Sequence, residues 1–341
     1  MVRTTIQPNL IKEAAGMAGF QACGIAGLDL EPDMKRFKAW LDAGRHGGMT
    51  YLERNQEIRA DPRRLLPGAA TAVVVAMSYI HTDPIDTGRW VSRHARGRDY
   101  HLVMKDRLTD LADRLSRMAP LHWRACVDTA PLLERSMARR AGLGWIGRNT
   151  NLITPDWGSF IVLGELLIDW EVPPDQVLPD RCGDCRACIE ACPTGALSDE
   201  GLAADRCLSY LTIEHRGCIP SEFHPFFGDM FFGCDRCQSI CPWNRITNDL
   251  DIGELMPRSL PDVSQLACLT PSGFRRFFQD TSLFRARWSG FMRNLVIHVK
   301  ARYPEQAAAI LAPLRFCGDP LVAATLAETA KTTPGAESSH D

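Results

Sequence analysis

Eight cysteines in two runs are the residues of this sequence best suited to electron-transfer chemistry. The first run, CGDCRACIEACP, extends from Cys182 to Pro193 and holds four thiols separated by two, two and three residues. In runs of this spacing that end in proline, the first three cysteines ligate one 4Fe–4S cluster and the fourth ligates another. The run therefore predicts a second set of thiols farther along the chain.

The second run, CDRCQSICP, extends from Cys234 to Pro242 and supplies only three thiols, so one more cysteine must complete the set. Cys207 and Cys218 are the candidates. Cys207 is preferred because it lies in a stretch of helical pattern, DRCLSYLTIEH, whereas Cys218 lies in the turn-like RGCIP. The sequence thus predicts two 4Fe–4S clusters, one ligated by Cys182, Cys185, Cys188 and Cys241 and the other by Cys192, Cys207, Cys234 and Cys237.

A zinc ribbon is the alternative for these cysteines, since its paired C-x2-C motifs also bind metal. Zinc takes four ligands, and this chain offers eight, so the clusters are favoured. Five further cysteines lack ligand spacing and are interpreted as small buried hydrophobic residues: Cys23, Cys126, Cys218, Cys268 and Cys317.

The composition is typical of a soluble globular protein, with 45% hydrophobic and 23% charged residues in a chain of 341. A net charge of −2 gives no global signal for nucleic acid, although a local basic face is compatible with it. Glu13 interrupts the only stretch where a signal peptide would lie, and the apolar run at 69–80 is too short to span a bilayer. The expected location is the cytoplasm, without membrane contact, where thirteen cysteines stay reduced.

The elements that must position the cysteines follow from the apolar pattern. Strands alternate with helices over the first 175 residues, which predicts an α/β or α+β fold class. We expect an α/β domain over 1–175, a bacterial ferredoxin-like domain with two clusters over 176–256, and a short helical, HEAT-like region over 257–330. The polar residues 331–341 are expected to be a disordered tail.

Asp128 is the one carboxylate placed by pattern at a plausible site. It follows the predicted strand HWRACV and precedes a helix that we expect to open at Pro131. If partly buried, it would donate a proton near neutral pH. The plainer interpretation is a helix cap, and the pattern alone favours it. Neither a G-x-G-x-x-G nor a P-loop motif follows a strand, so nucleotide cofactors lack support.

Several blocks together resemble the epoxyqueuosine reductase family: VDTAPLLERSMARRAGLGWIGRNTNLIT, GSFIVLGELL, CGDCRACIEACPTGAL, CLSYLTIEHRG and GCDRCQSICPWN. The resemblance covers about residues 10–300 and keeps the order of the blocks. It implies cobalamin, two 4Fe–4S clusters and a tRNA that carries epoxyqueuosine at the wobble position. The implied reaction converts the epoxide to an alkene, the last step of queuosine synthesis. An external electron donor is expected as a partner, and the chain is expected to be a monomer.

The resemblance also implies site residues. Asp128 in VDTAP becomes the proton donor, which reverses the preference for a helix cap. The expected corrin contacts are Arg59, Asp128, Asn149, Ile153, Ser209, Asp235 and Gln238. Basic segments are expected to contact the tRNA, namely GRWVSRHARGRDYH and EHRG near the pocket and FRRFF, RARWSGFMRN and HVKARYP in the helical region.

Two other functions remain compatible with the sequence. Reductive dehalogenases resemble the same core, so a cobalamin reductase of a small molecule is one alternative. The other is a ferredoxin-type electron-carrier subunit, which predicts bound clusters but neither corrin nor activity on tRNA.

Overall fold

The computed structural model describes residues 6–80, 90–244 and 253–331. The chain divides into two compact units. Residues 331–341 are predicted to form a disordered tail, and all of them except Lys331 lie outside the described residues. The domain boundaries at 175 and 256 stay predictions. The first unit comprises Met1–Asp83, Gly97–Cys207 and Asp235–Pro257, and the second comprises Pro84–Arg96, Leu208–Cys234 and Arg258–Asp341.

The described residues contain strands and α-helices joined by turns, loops and short 3-10 helices. The strands are β1 Ala22–Ala26, β2 Thr71–Ser78, β3 Trp123–Cys126, β4 Trp145–Ile146, β5 Leu152–Ile153, β6 Ile161–Ile168, β7 Leu197–Ser198 and β8 Gly201–Leu202. The α-helices are α1 Pro8–Met17, α2 Glu31–Asp42, α3 Gln56–Ala60, α4 Tyr100–Ser116, α5 Glu134–Arg140, α6 Ala187–Glu190, α7 Leu208–Ile213, α8 Arg236–Ser239, α9 Val263–Ala267, α10 Pro271–Phe278, α11 Arg287–Arg302, α12 Ala307–Ile310 and α13 Pro320–Lys331. Among these residues, no helix is long and apolar enough to span a bilayer.

A four-stranded sheet in the order β1-β2-β6-β3 is the centre of the first unit, and every pairing in it is antiparallel. The mixed fold class is therefore confirmed, and α+β describes it better than α/β. An antiparallel sheet has no common carboxyl edge, so the position of Asp128 after a strand does not by itself mark a ligand site.

Both faces of this sheet are covered, which explains why every residue of β2 is buried and why the strand is apolar from Ala72 to Met77. Val73, Val75 and Met77 face α1 and α4 in one core cluster. Alternate residues of β2, such as Val74 and Ala76, pack with α5 in another cluster on the opposite face. Because side chains alternate along a strand, successive residues of β6 also face these two clusters in turn.

The segment between β3 and β6 shapes the candidate site. The helix predicted to open at Pro131 begins instead at Glu134, with Leu133 as its N-cap, so Asp128 does not cap it. Gly142 ends this helix at a φ of 72°, a conformation that favours glycine. Between β5 and β6 the chain turns at Pro-Asp-Trp-Gly, residues 155–158, and an antiparallel bridge between Thr154 and Gly158 closes this turn.

Helices form most of the described part of the second unit, including the segment beyond Pro257 where the apolar pattern predicts them. Its central helix is α11, in which every residue from Gly290 to Val299 is buried. α11 packs against α9, α10, α12 and α13, which explains why its apolar residues occur on all sides.

Candidate active site

Four of the eight predicted ligands line one cavity of about 210 Å³ in the first unit. The sequence places them far apart, three in the first run and one at the end of the second. Burial raises the pKa of Cys241, and the Cys182 and Cys185 thiols raise it further because all would carry the same charge. The cavity is lined by Cys182, Cys185, Cys188 and Cys241 together with Arg148, Asn149, Ile153, Arg181, Ala187, Pro242 and Trp243.

This donor set fits a 4Fe–4S cluster, which takes soft thiolate ligands and an apolar wall. Trp145 and Trp243 meet edge to face beside the cavity, with ring centroids 4.8 Å apart. Within the described ranges, no three His, Cys, Asp or Glu side chains converge on one point as ligands of a single ion would. A 4Fe–4S cluster instead binds one thiolate at each iron, so its ligands lie around a cavity and do not converge on one point.

The other predicted ligands are Cys192, Cys207, Cys234 and Cys237, all of them half-buried. Cys207 lies between a turn of 3-10 helix at Ala204–Arg206 and the start of α7, while its competitor Cys218 is exposed. The ligand set of the second cluster stays a prediction.

The remaining cysteines correct the sequence interpretation in part. Cys126 is buried, as expected, and burial raises its pKa to about 12. Cys23 and Cys317 are partly buried. Cys218 and Cys268 are exposed, so the interpretation as buried hydrophobic residues is wrong for these two.

Asp128 lies in a loop after β3, with its side chain 56% exposed and a φ of 46°. A left-handed backbone is uncommon for a residue other than glycine and needs support from its surroundings. The support is a hydrogen bond that the backbone N–H of Asp128 donates to Oε1 of Glu134.

A histidine that the sequence analysis did not single out contacts this carboxylate. His101 Nε2 lies 3.1 Å from Asp128 Oδ2, and His101 Nδ1 lies 2.7 Å from Asp99 Oδ1. Desolvation lowers the pKa of His101, but the hydrogen bonds and charges of the two carboxylates outweigh it and raise the pKa to about 9. His101 is therefore a cation at neutral pH, held between two acids.

Two more carboxyl groups lie behind Asp128. Burial and the Asp128 charge raise the pKa of Glu134 to about 8, so it is largely protonated at neutral pH. Glu165 on β6 is fully buried, and neither of its side-chain oxygens has a hydrogen-bond partner among the described residues. Burial, and then Glu134 and Asp128, raise the pKa of Glu165 well above its usual range.

Arg59 borders the same group of acids. Its side chain is buried, donates from Nη1 to the Leu132 carbonyl over 3.2 Å and lies over the Phe37 ring at 5.5 Å. Its Nε has no hydrogen-bond partner within the described part of the chain. The same is true of the buried Nδ2 of Asn149, so both predicted corrin contacts offer an unused donor to a polar ligand.

The other predicted cofactor residues lie in different settings. Ile153 lines the cysteine cavity. Gln238 Oε1 accepts a hydrogen bond from Ser159 over 3.1 Å, and Asp235 is a buried residue at the start of α8. Ser209, in the second unit, is half-buried on α7.

The basic segments predicted to contact tRNA are not uniformly accessible. Gly88 and Arg89, at the start of GRWVSRHARGRDYH, lie outside the described residues. Arg275 and Arg276 of α10 are exposed. Arg293 is fully buried and donates to the carbonyls of Leu211, His215 and Gly217, so within RARWSGFMRN it is not a phosphate contact.

Sequence reasoning missed Asp99, His101, Glu134 and Glu165 as members of the site. The one local signal was Asp99 before Tyr100 and His101, where a helix begins and Asp99 caps it. Glu165 stands out only as a carboxylate inside the apolar strand FIVLGELLI. Neither signal indicates that these groups meet Asp128.

Two family models match the segments that carry the Asp128 group and the cysteines. A family model described as Epoxyqueuosine reductase QueG, DUF1730 matches residues 59–129, which include Arg59, Asp99, His101 and Asp128. A second, described as 4Fe-4S double cluster binding domain, matches residues 181–244, which include all eight predicted ligands.

Whole-chain relatives agree with these matches. The epoxyqueuosine reductase of Pseudomonas aeruginosa is 39% identical over 84% of this chain and 83% of its own. The structure of epoxyqueuosine reductase from Streptococcus thermophilus superposes with a TM-score of 0.85 at 30% identity, over 94% of this chain and 88% of that one. An epoxyqueuosine reductase crystallised with a tRNA-Tyr epoxyqueuosine-modified stem loop superposes with a TM-score of 0.80 at 28% identity. The match covers 96% of this chain and 95% of that one.

Proposed function

The chain belongs to the epoxyqueuosine reductase family, and on this premise we infer that it reduces epoxyqueuosine in tRNA to queuosine. The observation that carries this inference is the match, over nearly the whole chain, to a structure that holds an epoxyqueuosine-modified stem loop.

The reaction converts an epoxide to an alkene and consumes two electrons and two protons, with the oxygen leaving as water. Cobalamin, when bound, supplies a cobalt centre that carries the electrons of the reduction. The oxygen leaves readily only when protonated, so the residues of the chain must place an acid beside it.

Asp128 is the proposed acid. Its side chain is partly exposed, as a group that meets a macromolecular substrate must be. In the ion pair with His101 it is a carboxylate, and it acts as the acid by taking the proton of His101 Nε2 across 3.1 Å and passing it to the substrate oxygen. Asp99 orients the ring through Nδ1, so the proton-bearing nitrogen faces Asp128.

The proposed corrin contacts are supported by unequal observations. Arg59 and Asn149 offer the unused buried donors described above, and these fit the amide-rich rim of a corrin. Ile153 supplies an apolar wall at the cysteine cavity. Ser209, Asp235 and Gln238 are proposed on their positions beside cluster ligands alone.

The eight cysteines are proposed to hold two clusters in the sets predicted from the sequence. The cavity lined by Cys182, Cys185, Cys188 and Cys241 supports the first set. An external one-electron donor would refill the clusters. We further propose that the enzyme is a monomer of the cytoplasm, where its tRNA substrate is found.

One experiment tests this function against its alternatives. The chain is purified without oxygen, its iron and corrin are measured, and it is incubated with reductant and epoxyqueuosine-containing tRNA. Mass analysis of the nucleosides is expected to show loss of one oxygen. No loss with clusters and corrin present would refute the function, and clusters without corrin would favour the electron-carrier alternative.

A further inference from the structure

The cavity of the first 4Fe–4S cluster is bordered by hydrogen-bond donors that no described group uses. This cluster is the one proposed for Cys182, Cys185, Cys188 and Cys241. Trp145 is 1% exposed, and its indole Nε1 has no hydrogen-bond partner within the described residues. The buried Nε of Arg148, a residue that lines the cavity, has none there either. Because buried donors in folded proteins are nearly always paired, two unpaired ones beside the same thiols indicate that a bound group accepts from them.

We propose that Trp145 and Arg148 donate these N–H groups to inorganic sulfides of the first cluster and thereby raise its reduction potential. A 4Fe–4S cluster held by thiolates is an anion, and it becomes more negative when it is reduced. Hydrogen-bond donors and a nearby cation therefore stabilise the reduced form more than the oxidised form. This inference rests on the proposed function only through the ligand set of the first cluster, and it does not depend on the reaction with tRNA.

The guanidinium of Arg148 is fixed by its two terminal nitrogens. Nη1 lies 3.3 Å from Oδ1 of Asp199, and Nη2 donates to the Gly183 carbonyl over 3.0 Å. Gly183 lies between the ligands Cys182 and Cys185, so the second bond ties the arginine to the loop that carries them. A planar guanidinium held in this way leaves Nε as the nitrogen without a partner among the described residues. Arg148 thus brings both a positive charge and an available N–H to the cavity.

The indole of Trp145 is placed by β4 and by the packing around it. Trp145 lies opposite Ile153 of β5, and both belong to one buried group with Cys241. Cys182 and Trp243 pack against this group. The ring therefore lies among ligands from both cysteine runs. Since no described group accepts from Nε1, we assign as its acceptor an inorganic sulfide, which arrives with the cluster.

A raised potential affects how the enzyme is refilled with electrons. In each transfer the external donor loses one electron and the first cluster gains it, with no bond made or broken and no proton moved. Two such transfers supply the two electrons of one turnover. A cluster whose reduced form is stabilised accepts an electron from a weaker reductant. The two N–H groups would therefore widen the range of external donors that can serve this enzyme.

Reduction potentials test this proposal without cobalamin or turnover. Redox titration of the anaerobically reconstituted full chain, followed by electron paramagnetic resonance, gives one potential for each cluster. In Trp145→Phe the potential of the first cluster should become more negative by about 59 mV, which corresponds to a tenfold change in a one-electron equilibrium. Arg148→Gln should shift the same potential in the same direction by at least as much, because it also removes a charge. The second potential should stay unchanged in both variants.

Three further variants serve as references. Whichever of Cys207→Ser and Cys218→Ser retains about four irons keeps only the first cluster and so identifies its potential. Trp40→Phe removes an indole N–H that donates to the Leu202 carbonyl over 2.7 Å, and it should leave both potentials unchanged. Arg186→Gln removes a cation that is paired with Asp199 but is 45% exposed, so water screens it and the shift should be smaller than in Arg148→Gln.

Several results would overturn the proposal. These are an unchanged first potential in both Trp145→Phe and Arg148→Gln, or a shift in Arg186→Gln as large as that in Arg148→Gln. Loss of the first cluster from both variants would also reject a tuning role in favour of a purely structural one. A wild-type chain that reconstitutes without the first cluster would refute the proposed ligand set. Failure of the holoenzyme on tRNA would refute the proposed function and leave the measured potentials to decide this inference.

Discussion

His101 Nε2 lies 3.1 Å from Asp128 Oδ2, although 27 residues separate them in the chain. This contact makes the predicted proton donor one half of an ion pair. It also ties the start of α4 to the loop that follows β3. Changes at either residue should therefore alter both chemistry and stability.

Asp128→Asn should abolish most turnover while leaving both clusters in place. The amide matches the carboxylate in size but cannot take up the His101 proton and pass it to the substrate, and general acids contribute about 10²- to 10⁴-fold. Nucleoside mass analysis after a single turnover measures the effect. Full activity in a variant with normal iron content would exclude Asp128 as the donor.

His101→Gln should flatten the pH dependence of stability. Because the folded pKa of His101 is raised from 6.5 to about 9, the ion pairs stabilise the protein fully below pH 6.5, and this stabilisation is lost as pH rises through about 9. The wild-type unfolding free energy should fall across that window by at most about 1.4 kcal/mol per pH unit. Urea unfolding at several pH values checks this, and an equal slope in the variant would contradict it.

Glu165→Gln should be more stable than the wild-type protein at alkaline pH. The pKa of Glu165 is raised well above 4.5 in the folded state, so its contribution to stability is lost as pH rises from 4.5 toward the folded pKa. Glutamine does not ionise, and the advantage of the variant should grow with pH. Unfolding free energies near pH 5 and pH 9 test this, with Glu13→Gln as a control that should show no such trend.

Cys207→Ser and Cys218→Ser should give different iron contents. If Cys207 completes the second ligand set, its serine variant should fall from about eight irons per chain to about four. Cys218 is exposed and outside both sets, so Cys218→Ser should retain about eight. Iron analysis after anaerobic reconstitution measures these contents. The reverse result would assign Cys218, and not Cys207, to the second cluster.

Asn244→Ala should weaken the segment that follows Cys241. Asn244 Oδ1 accepts from the Ser159 N–H over 2.7 Å, and Nδ2 donates to the Gln238 carbonyl over 2.7 Å. Losing these buried bonds should cost about 1–3 kcal/mol, since their partners are left unsatisfied. Thermal unfolding measures the loss, and an unchanged melting temperature would show that Asn244 is dispensable.

The sequence alone determined those features that depend on local spacing. The two cysteine runs predict clusters because thiol ligands must recur at short intervals, and the apolar pattern predicts alternating strands and helices over the first 175 residues. The resemblance to a known family indicated Asp128. Local pattern, by contrast, mistook this residue for a helix cap and placed the start of α5 three residues early.

Only the tertiary structure decided which groups surround Asp128. β3 and α4 bring Asp128 and His101 together, and β6 turns Glu165 toward α5. These residues are distant in the chain, and each by itself has an ordinary local position in a loop, at the start of a helix or in a strand. Their altered acidities arise from burial and from one another's charge, which exist only once the chain has folded.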